Sequence, residues 1–119
     1  MADRILIKNA IVLSQVQSGS VRLYGKRMTA RWDFIEPSRF DDTIEMLGRA
    51  GYEPYLLLED WEVPLFRKQF GGASQYAGLD WPPAIEYRDI SQVGVYRLAD
   101  RARHRAGAAI ATSRITSAR

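Results

Sequence analysis

Acidic and aromatic side chains follow the most apolar run in the sequence. Glu59-Asp60-Trp61-Glu62 comes directly after Tyr55-Leu56-Leu57-Leu58. Three carboxylates in four positions have the chemistry to hold a hard metal ion or to transfer protons, and the indole can serve as a stacking platform for a sugar. Structural roles are the simpler interpretation. Asp60 is placed to cap the following helix, Glu62 suits its first turn, and we expect Trp61 to pack against the core.

A second polar segment follows the β-branched run Ala10-Ile11-Val12-Leu13-Ser14. Its backbone N–H groups and hydroxyls at Ser18, Gly19 and Ser20 could hold an anion at a helix start. The segment lacks the lysine of a P-loop and the three glycines of a dinucleotide motif, so a serine-capped turn is the simpler interpretation. With Tyr24 and Arg31 added, the candidate ligand-binding residues are Gln15, Ser18, Gly19, Ser20, Tyr24, Arg31, Glu59, Asp60, Trp61 and Glu62.

Three strands must position these residues. Residues 10–14 and 55–58 are continuous apolar runs, typical of strands buried on both faces. In residues 28–33 apolar and polar side chains alternate, which predicts a half-exposed strand at a sheet edge. If the strands are parallel in the order 2-1-3, the first and third end side by side at a topological switch point. Residues 15–20 and 59–62 would then line one crevice.

Two helices are predicted between and after these strands. The first is capped by Ser38, carries an apolar stripe at i, i+4 and i+7, and ends at Gly51. The second covers residues 60–70, where a spacing of four predicts pairs on a buried face. The stripe of the first helix is Phe40, Ile44 and Leu47, and the pairs of the second are Trp61 with Leu65 and Phe66 with Phe70.

The C-terminal part completes the expected fold. Residues 84–88 and 93–98 predict an antiparallel pair of strands. The element order predicts an α/β class: a small three-layer, Rossmann-like or flavodoxin-like sheet with three parallel central strands and this C-terminal pair. Residues 1–100 are expected to form a single globular domain. Residues 101–119 are expected to be a basic tail, helical at its start and partly disordered beyond.

The positive charge is concentrated in this tail. Five of the 17 basic residues lie in residues 101–119, where there is no acid, so residues 1–100 carry a net charge of −2. A nucleic-acid partner is therefore not expected. An anionic lipid surface could attract the tail through Arg101, Arg103 and Arg105, and a solvated end is the alternative.

Several classes of site and protein are disfavoured by residue usage. The chain has no cysteine, which excludes disulfides and thiolate metal sites. Its one histidine, His104, has no partner placed by the sequence, so neither a histidine triad nor a histidine metal site is expected. No apolar run approaches the roughly 18–20 residues of a membrane span. We predict no catalytic residue, no metal and no cofactor.

The chain resembles the soluble C-terminal domain of bacterial membrane glycosyltransferases related to protein O-mannosyltransferases. These enzymes take sugars from polyprenyl-phosphate carriers, and the resemblance covers residues 9–98. The residues that carry it are Ala10-Ile11-Val12-Leu13-Ser14-Gln15, Ser18-Gly19-Ser20-Val21-Arg22-Leu23-Tyr24, Arg31-Trp32-Asp33, Gly51-Tyr52, Tyr55-Leu56-Leu57-Leu58-Glu59-Asp60-Trp61-Glu62 and Phe66-Arg67-Lys68-Gln69-Phe70.

The resemblance implies a domain that follows the last membrane helix, on the periplasmic side. In that family the catalytic acids lie in a loop near the first membrane helices, so none is carried over to this chain. The start at Met1 and the lack of a span also allow a free-standing, cytoplasmic relative.

Three functions follow from these observations. The first is a non-catalytic accessory domain of a membrane glycosyltransferase, which packs on the membrane domain or helps to bind acceptor. The second is an independent module that binds a phosphorylated or acidic ligand in the crevice between residues 18–20 and 59–62. The third is a structural or homodimer-assembly domain, with residues 28–33 and 93–98 pairing as sheet edges.

Overall fold

The computed structural model of the chain describes residues 9–15, 28–88 and 92–116. Single 3-10 turns at Trp32–Phe34, Pro37–Arg39 and Asp60–Glu62 connect several of its elements. The strands and helices are β1 Ala10–Ser14, β2 Met28–Arg31, α1 Phe40–Arg49, β3 Glu53–Glu59, α2 Val63–Phe70, β4 Ile85–Arg88, β5 Gln92–Arg97, α3 Asp100–Arg105 and β6 Ser113–Thr116.

The strands form one mixed sheet of six in the order β2-β1-β3-β5-β4-β6. β1 pairs in parallel with β2 and β3, β5 is antiparallel to β3 and β4, and β6 is parallel to β4. The prediction of an α/β fold with an antiparallel C-terminal pair is confirmed. The prediction that residues 93–98 form a sheet edge is wrong, because β5 lies between β3 and β4. The edges of this sheet are β2 and β6.

Strand β3 is buried on both faces, as its apolar run predicts. Leu56 and Leu58 belong to one cluster of core residues, whereas Tyr55 and Leu57 belong to the cluster on the opposite face. Alternate side chains of a strand point to opposite faces, so a four-residue apolar run supplies both cores. The second cluster also takes residues from the neighbouring strands, namely Ala10, Val12, Ile85, Val93 and Val95.

Aromatic rings dominate the first cluster, where α1 and α2 pack on the sheet. The ring of Trp32 lies 5.2 Å from that of Phe66 in an edge-to-face arrangement, and Phe40 lies 4.6 Å from Phe70. All four side chains are buried. Edge-to-face aromatic pairs add about 0.5–1.5 kcal/mol to the area that they bury. The expected core positions of Phe66 and Phe70 are confirmed.

Of the two ends predicted for α1, the C-terminal end is confirmed and the N-terminal cap is wrong. Gly51 has a φ of 94°, and the Tyr52 N–H bonds to the Leu47 carbonyl at 2.9 Å, which ends the helix as predicted. Ser38 is not the cap, because Pro37–Arg39 forms a 3-10 turn and the N-cap position falls on Arg39. Phe40 and Ile44 face the core as the stripe predicts.

The basic C-terminal end contributes regular structure to the domain. The sequence predicted no strand here, yet β6 pairs with the outer edge of β4. The Ser113 N–H bonds to the Ala84 carbonyl at 2.9 Å, and the Thr112 hydroxyl donates to the Pro83 carbonyl at 2.7 Å. Because an unpaired edge of β4 would expose its backbone groups, a four-residue strand with a single apolar side chain, Ile115, finds a partner there.

The arginines of this end form ion pairs with acids of the domain. Arg101 and Arg105 contact Asp80 at 3.1 and 3.6 Å, while Arg103 contacts Asp100 at 3.1 Å. A further pair joins Arg114 of β6 to Glu86 of β4 at 2.9 Å. The charge excess that the sequence shows at this end is therefore partly neutralised by the fold.

Candidate functional site

The ends of three parallel strands bring the candidate residues to one edge of the sheet. Gln15 follows β1, Arg31 ends β2 opposite Ser14 of β1, and the turn Asp60–Glu62 follows β3. Crevices in open α/β sheets form at such carboxyl ends. We call Gln15, Arg31, Asp33, Trp61 and Glu62 the carboxyl-edge cluster.

A bidentate ion pair forms the outer part of this cluster. The Arg31 Nε and Nη2 groups donate to the two oxygens of Asp33 at 2.9 and 2.6 Å. These bonds lower the pKa of Asp33, against an opposing effect of burial, and they raise the pKa of Arg31. The guanidinium carbon also lies 4.4 Å from the centre of the Phe34 ring. With 44% of the Arg31 side chain exposed, the pair is held in a fixed geometry that solvent can reach.

Glu62 is the buried acid of the cluster, with 1% of its surface exposed. Its Oε1 accepts the Glu59 N–H at 2.9 Å, and the Glu59 carboxylate accepts the Glu62 N–H, which makes a capping box. Its Oε2 has no hydrogen-bond partner within the described part of the chain. Burial raises the pKa of Glu62, the bond from Glu59 N–H lowers it, and the carboxylates of Glu59 and Asp33 raise it further.

The predicted capping role of Asp60 is wrong. Glu59 occupies the N-cap position of the 3-10 turn, while Asp60 is its exposed first residue. The two side chains of a capping box are three residues apart, as Glu59 and Glu62 are. The turn therefore starts one residue before the start that the sequence pattern predicted, and Glu59 takes the place of Asp60 as the cap. Two of the predicted acids, Glu59 and Glu62, are thereby committed to ending β3 and starting α2.

Gln15 links the first strand to the ion pair. Its side chain is near enough to Asp33 to help lower the pKa of that acid, after the larger effect of Arg31. Its Oε1 is buried and, like Glu62 Oε2, lacks a partner among the residues that the structure describes. A buried acceptor without a donor costs roughly 1–3 kcal/mol. Both oxygens belong to residues that follow the carboxyl ends of parallel strands.

Exposed apolar side chains flank these polar groups. Trp61 is 50% and Phe34 75% exposed, and Leu65 is also exposed. The expectation that Trp61 and Leu65 face the core is wrong: the 3-10 turn directs Glu62 inward and leaves Trp61 outside. Gln69, one turn after Leu65, donates to the carbonyls of Asp33 and Ile35 at 3.3 Å. This bond ties α2 to the turn that carries Phe34.

The sequence identified part of this cluster. Arg31 and the residues of the 59–62 turn were predicted to bind ligand, as was Gln15, and all lie at the same edge. The candidates Ser18, Gly19, Ser20 and Tyr24 lie outside the described residues. Asp33 was missed as a site residue. The alternating segment predicted Arg31 and Asp33 on one face of a strand, but Arg31 ends β2 and Asp33 lies in the 3-10 turn that follows it, so the ion pair spans the end of the strand.

The described residues contain neither a membrane-spanning helix nor a group of potential metal ligands. No helix in residues 9–15, 28–88 or 92–116 has the length and apolar character to cross a membrane. Within the same ranges, no three His, Cys, Asp or Glu side chains are grouped so that they could hold a metal ion.

Comparisons of the chain with protein-family models, with curated proteins and with solved structures find no match.

Proposed function

We propose that this chain is a non-catalytic accessory domain whose carboxyl-edge cluster binds a small polar ligand. The observation that carries the proposal is the pair of buried oxygens, Glu62 Oε2 and Gln15 Oε1, that lack donors among the described residues. Buried polar groups without a partner occur at functional sites, where water or a ligand can satisfy them, and elsewhere; Trp32 Nε1 and Arg97 Nε also lack a partner among the described residues. Trp61, which follows the end of β3 at the same edge of the sheet, exposes an apolar indole face there.

The arrangement of the parallel strands supports a binding site at the carboxyl-edge cluster. We infer that β1, β2 and β3 form a Rossmann-like or flavodoxin-like unit within a three-layer domain. The parallel pairing of β1 with both neighbours is the observation behind this inference. In such a unit, the strand order reverses at β1, and ligands bind outside the carboxyl ends of β1 and β3.

The accessory role in this proposal comes from the resemblance to membrane glycosyltransferases. By that resemblance, the domain would lie on the periplasmic side, where it would pack on a membrane domain or help to bind acceptor. A non-catalytic role agrees with the chemistry of the cluster, because Asp33 is tied to Arg31 and Glu62 is committed to a capping box.

A second proposal, independent of the ligand site, concerns contact with an anionic lipid surface. We propose that Arg103 and Arg105 make it, since their side chains are 56% and 61% exposed despite their ion pairs. Replacing both by glutamine should abolish sedimentation with anionic vesicles at low salt, and physiological salt should weaken it in the parent protein. Equal sedimentation of the two proteins would contradict this contact. Arg49→Gln, on an exposed pair of α1, is the control.

Chemical-shift mapping tests the binding function directly. The ¹⁵N-labelled protein is titrated with D-glucose and D-mannose, with glucose 6-phosphate, and with glucosamine. We expect shifts for at least one of these classes at the backbone amides of residues 31–33 and 59–62 and at the Trp61 indole. Shifts confined to other surfaces, or none at tens of millimolar ligand, would overturn the proposal.

A further inference from the structure

Strand β6 lies at one end of the sheet, away from the carboxyl-edge cluster on β1, β2 and β3. Among the residues that the structure describes, β4 is its one pairing partner. The outer edge of such a strand presents a row of backbone N–H and C=O groups, to which another chain can pair. We propose that this edge binds an extended peptide with acidic side chains, which adds to the sheet as a further strand.

The two faces of β6 differ in character. Neighbouring side chains of a strand point to opposite faces of the sheet. Arg114 lies on one face, opposite Glu86 in the register of β4 and β6, and its side chain is 79% exposed. Ile115 lies on the other face, where it packs against the core cluster that contains Ile85 and Val95. An added strand therefore meets a cation on one face and an apolar side chain on the other.

Arg114 has donors for a ligand on its outer side. Within the described part of the chain, its one acceptor is Glu86 Oε1, which lies 2.9 Å from Arg114 Nε. The N–H groups of Nη1 and Nη2 are therefore available to a ligand. Because Glu86 belongs to the inner strand β4, Arg114 stands between that acid and an incoming strand. A carboxylate opposite Arg114 would form a cross-strand ion pair, with Cβ atoms about 4.5–5.5 Å apart.

A cavity of about 210 Å³ lies beside this ion pair, across β4 and β6. Arg88 shares a face with Glu86, since the two are alternate positions of β4, and it donates to the neutral side chain of Gln92 at 3.2 Å. Two arginines and one glutamate give the lining a net charge of +1, which favours an acidic ligand. The residues that line the cavity are Glu86, Tyr87, Arg88, Gln92, Arg114 and Ile115.

A second copy of this chain is the competing occupant of the edge, and its charge is unfavourable. Residues 101–119 contain five arginines and no acid, so a partner's β6 would bring only positive charge to this edge. In an antiparallel pair centred on Arg114, the two guanidinium groups would face each other, and like charges directly opposite are destabilising. An acidic peptide avoids this repulsion and is attracted instead.

The faces of β6 also define the pattern of the peptide. The residue opposite Arg114 should be acidic, and its neighbour, opposite Ile115, should be an apolar residue that suits a strand, such as valine. Side chains alternate with a period of two in either strand direction. A peptide of alternating glutamate and valine therefore satisfies both faces, whether it pairs in parallel or antiparallel.

Fluorescence anisotropy of a labelled peptide measures this binding, with the full chain at low salt. We expect the glutamate–valine peptide to bind at least about tenfold more tightly than a lysine–valine peptide of the same length. Physiological salt should weaken the binding. Methylation of two adjacent backbone nitrogens keeps every side chain of the peptide but removes an N–H on each side of the strand. It should weaken binding at least about tenfold, because backbone pairing is lost.

Variants of the protein test the role of the ion pair. Arg114→Gln should weaken binding of the acidic peptide about fivefold, whereas Arg49→Gln, on an exposed pair of α1, should leave it unchanged. Glu86→Arg combined with Arg114→Glu keeps opposite charges on β4 and β6 but places the acid outermost. This double variant should prefer the lysine–valine peptide. In the ¹⁵N-labelled parent protein, the acidic peptide should shift the backbone amides of residues 113–116.

Several outcomes would overturn the inference. They are equal binding of the acidic and lysine peptides, equal binding of the methylated and unmethylated peptides, and shifts that spare residues 113–116. A double variant that keeps the preference of the parent protein would also contradict it. If sedimentation shows a dimer and the amides of residues 113–116 broaden with protein concentration, a second copy occupies the edge and the acidic peptide is the wrong ligand.

Discussion

Glu62 has two roles that substitutions can separate: its side chain completes the capping box of the 3-10 turn Asp60–Glu62, and its carboxyl is buried. Glu62→Ala removes the bond to the Glu59 N–H, worth about 1 kcal/mol for a cap. It also removes one buried methylene, worth about 0.8 kcal/mol. Glu62→Gln keeps an amide oxygen for the cap and abolishes ionisation. We therefore expect Glu62→Ala to cost about 2 kcal/mol in acid, or about 8 °C in melting temperature for a domain of this size.

The pH dependence follows from the raised pKa of Glu62. The folded protein binds this proton more tightly than the unfolded chain. The free energy of unfolding therefore falls as the pH rises from the ordinary glutamate pKa through the raised folded one. Each unit of pKa shift corresponds to about 1.4 kcal/mol. Glu62→Gln lacks this loss, so it should gain stability relative to the parent protein as the pH rises above about 4.5.

Urea unfolding at several pH values measures both effects. Glu45→Gln, which removes an exposed charge from α1, is the control for a general change in net charge. A constant difference between Glu62→Gln and the parent protein across this pH range would refute a raised pKa. If Glu62→Ala were as stable as the parent protein in acid, the capping role would be refuted instead.

Two matched pairs of substitutions test the fold, with thermal unfolding as the measurement. A Cβ added at Gly48 on α1 meets no atom within 4 Å, so Gly48→Ala should stabilise the protein by about 0.5–1 kcal/mol. A Cβ at Gly71 would lie 2.6 Å from the Arg67 carbonyl oxygen, so Gly71→Ala should destabilise the protein by about 1–3 kcal/mol. Phe66→Ala removes a fully buried ring and should cost about 3–5 kcal/mol, while Trp61→Ala, on a half-exposed ring, should cost under about 1 kcal/mol. Equal effects within either pair would contradict the arrangement described above.

The central strand and the end of the first helix were readable from the sequence alone. The run at residues 55–58 has no polar side chain to place on a solvent face, so it must be buried on both faces wherever it lies. Gly51 ends α1 because its positive φ is costly for any residue with a Cβ. Such features depend on the chemistry of a few adjacent residues, and the rest of the fold has little influence on them.

The orientation of the turn after β3 was decided by the tertiary structure. Trp61 and Leu65 are four apart, so they share one face of a helix, but this spacing does not say whether that face is buried. The 3-10 turn at Asp60–Glu62 sets the rotation, so that Phe66 and Phe70 meet the ring of Trp32 and Trp61 remains outside. Glu62 is carried inward with them because the same rotation places it toward the core.

In the carboxyl-edge cluster and in β6, some features are set by neighbouring residues and others by the pairing of distant strands. Arg31 and Asp33 are two apart, so a local feature brings them together: Arg31 ends β2 and Asp33 lies in the 3-10 turn that follows. Bringing them to the same edge as Gln15 and Glu62 requires three strands to end there, which is a property of sheet order. β6 has no apolar pattern that predicts a strand, and it exists because β4 offers a row of backbone donors and acceptors. Local chemistry sets how each residue behaves within its element, but only the long-range pairing of strands decides which residues meet.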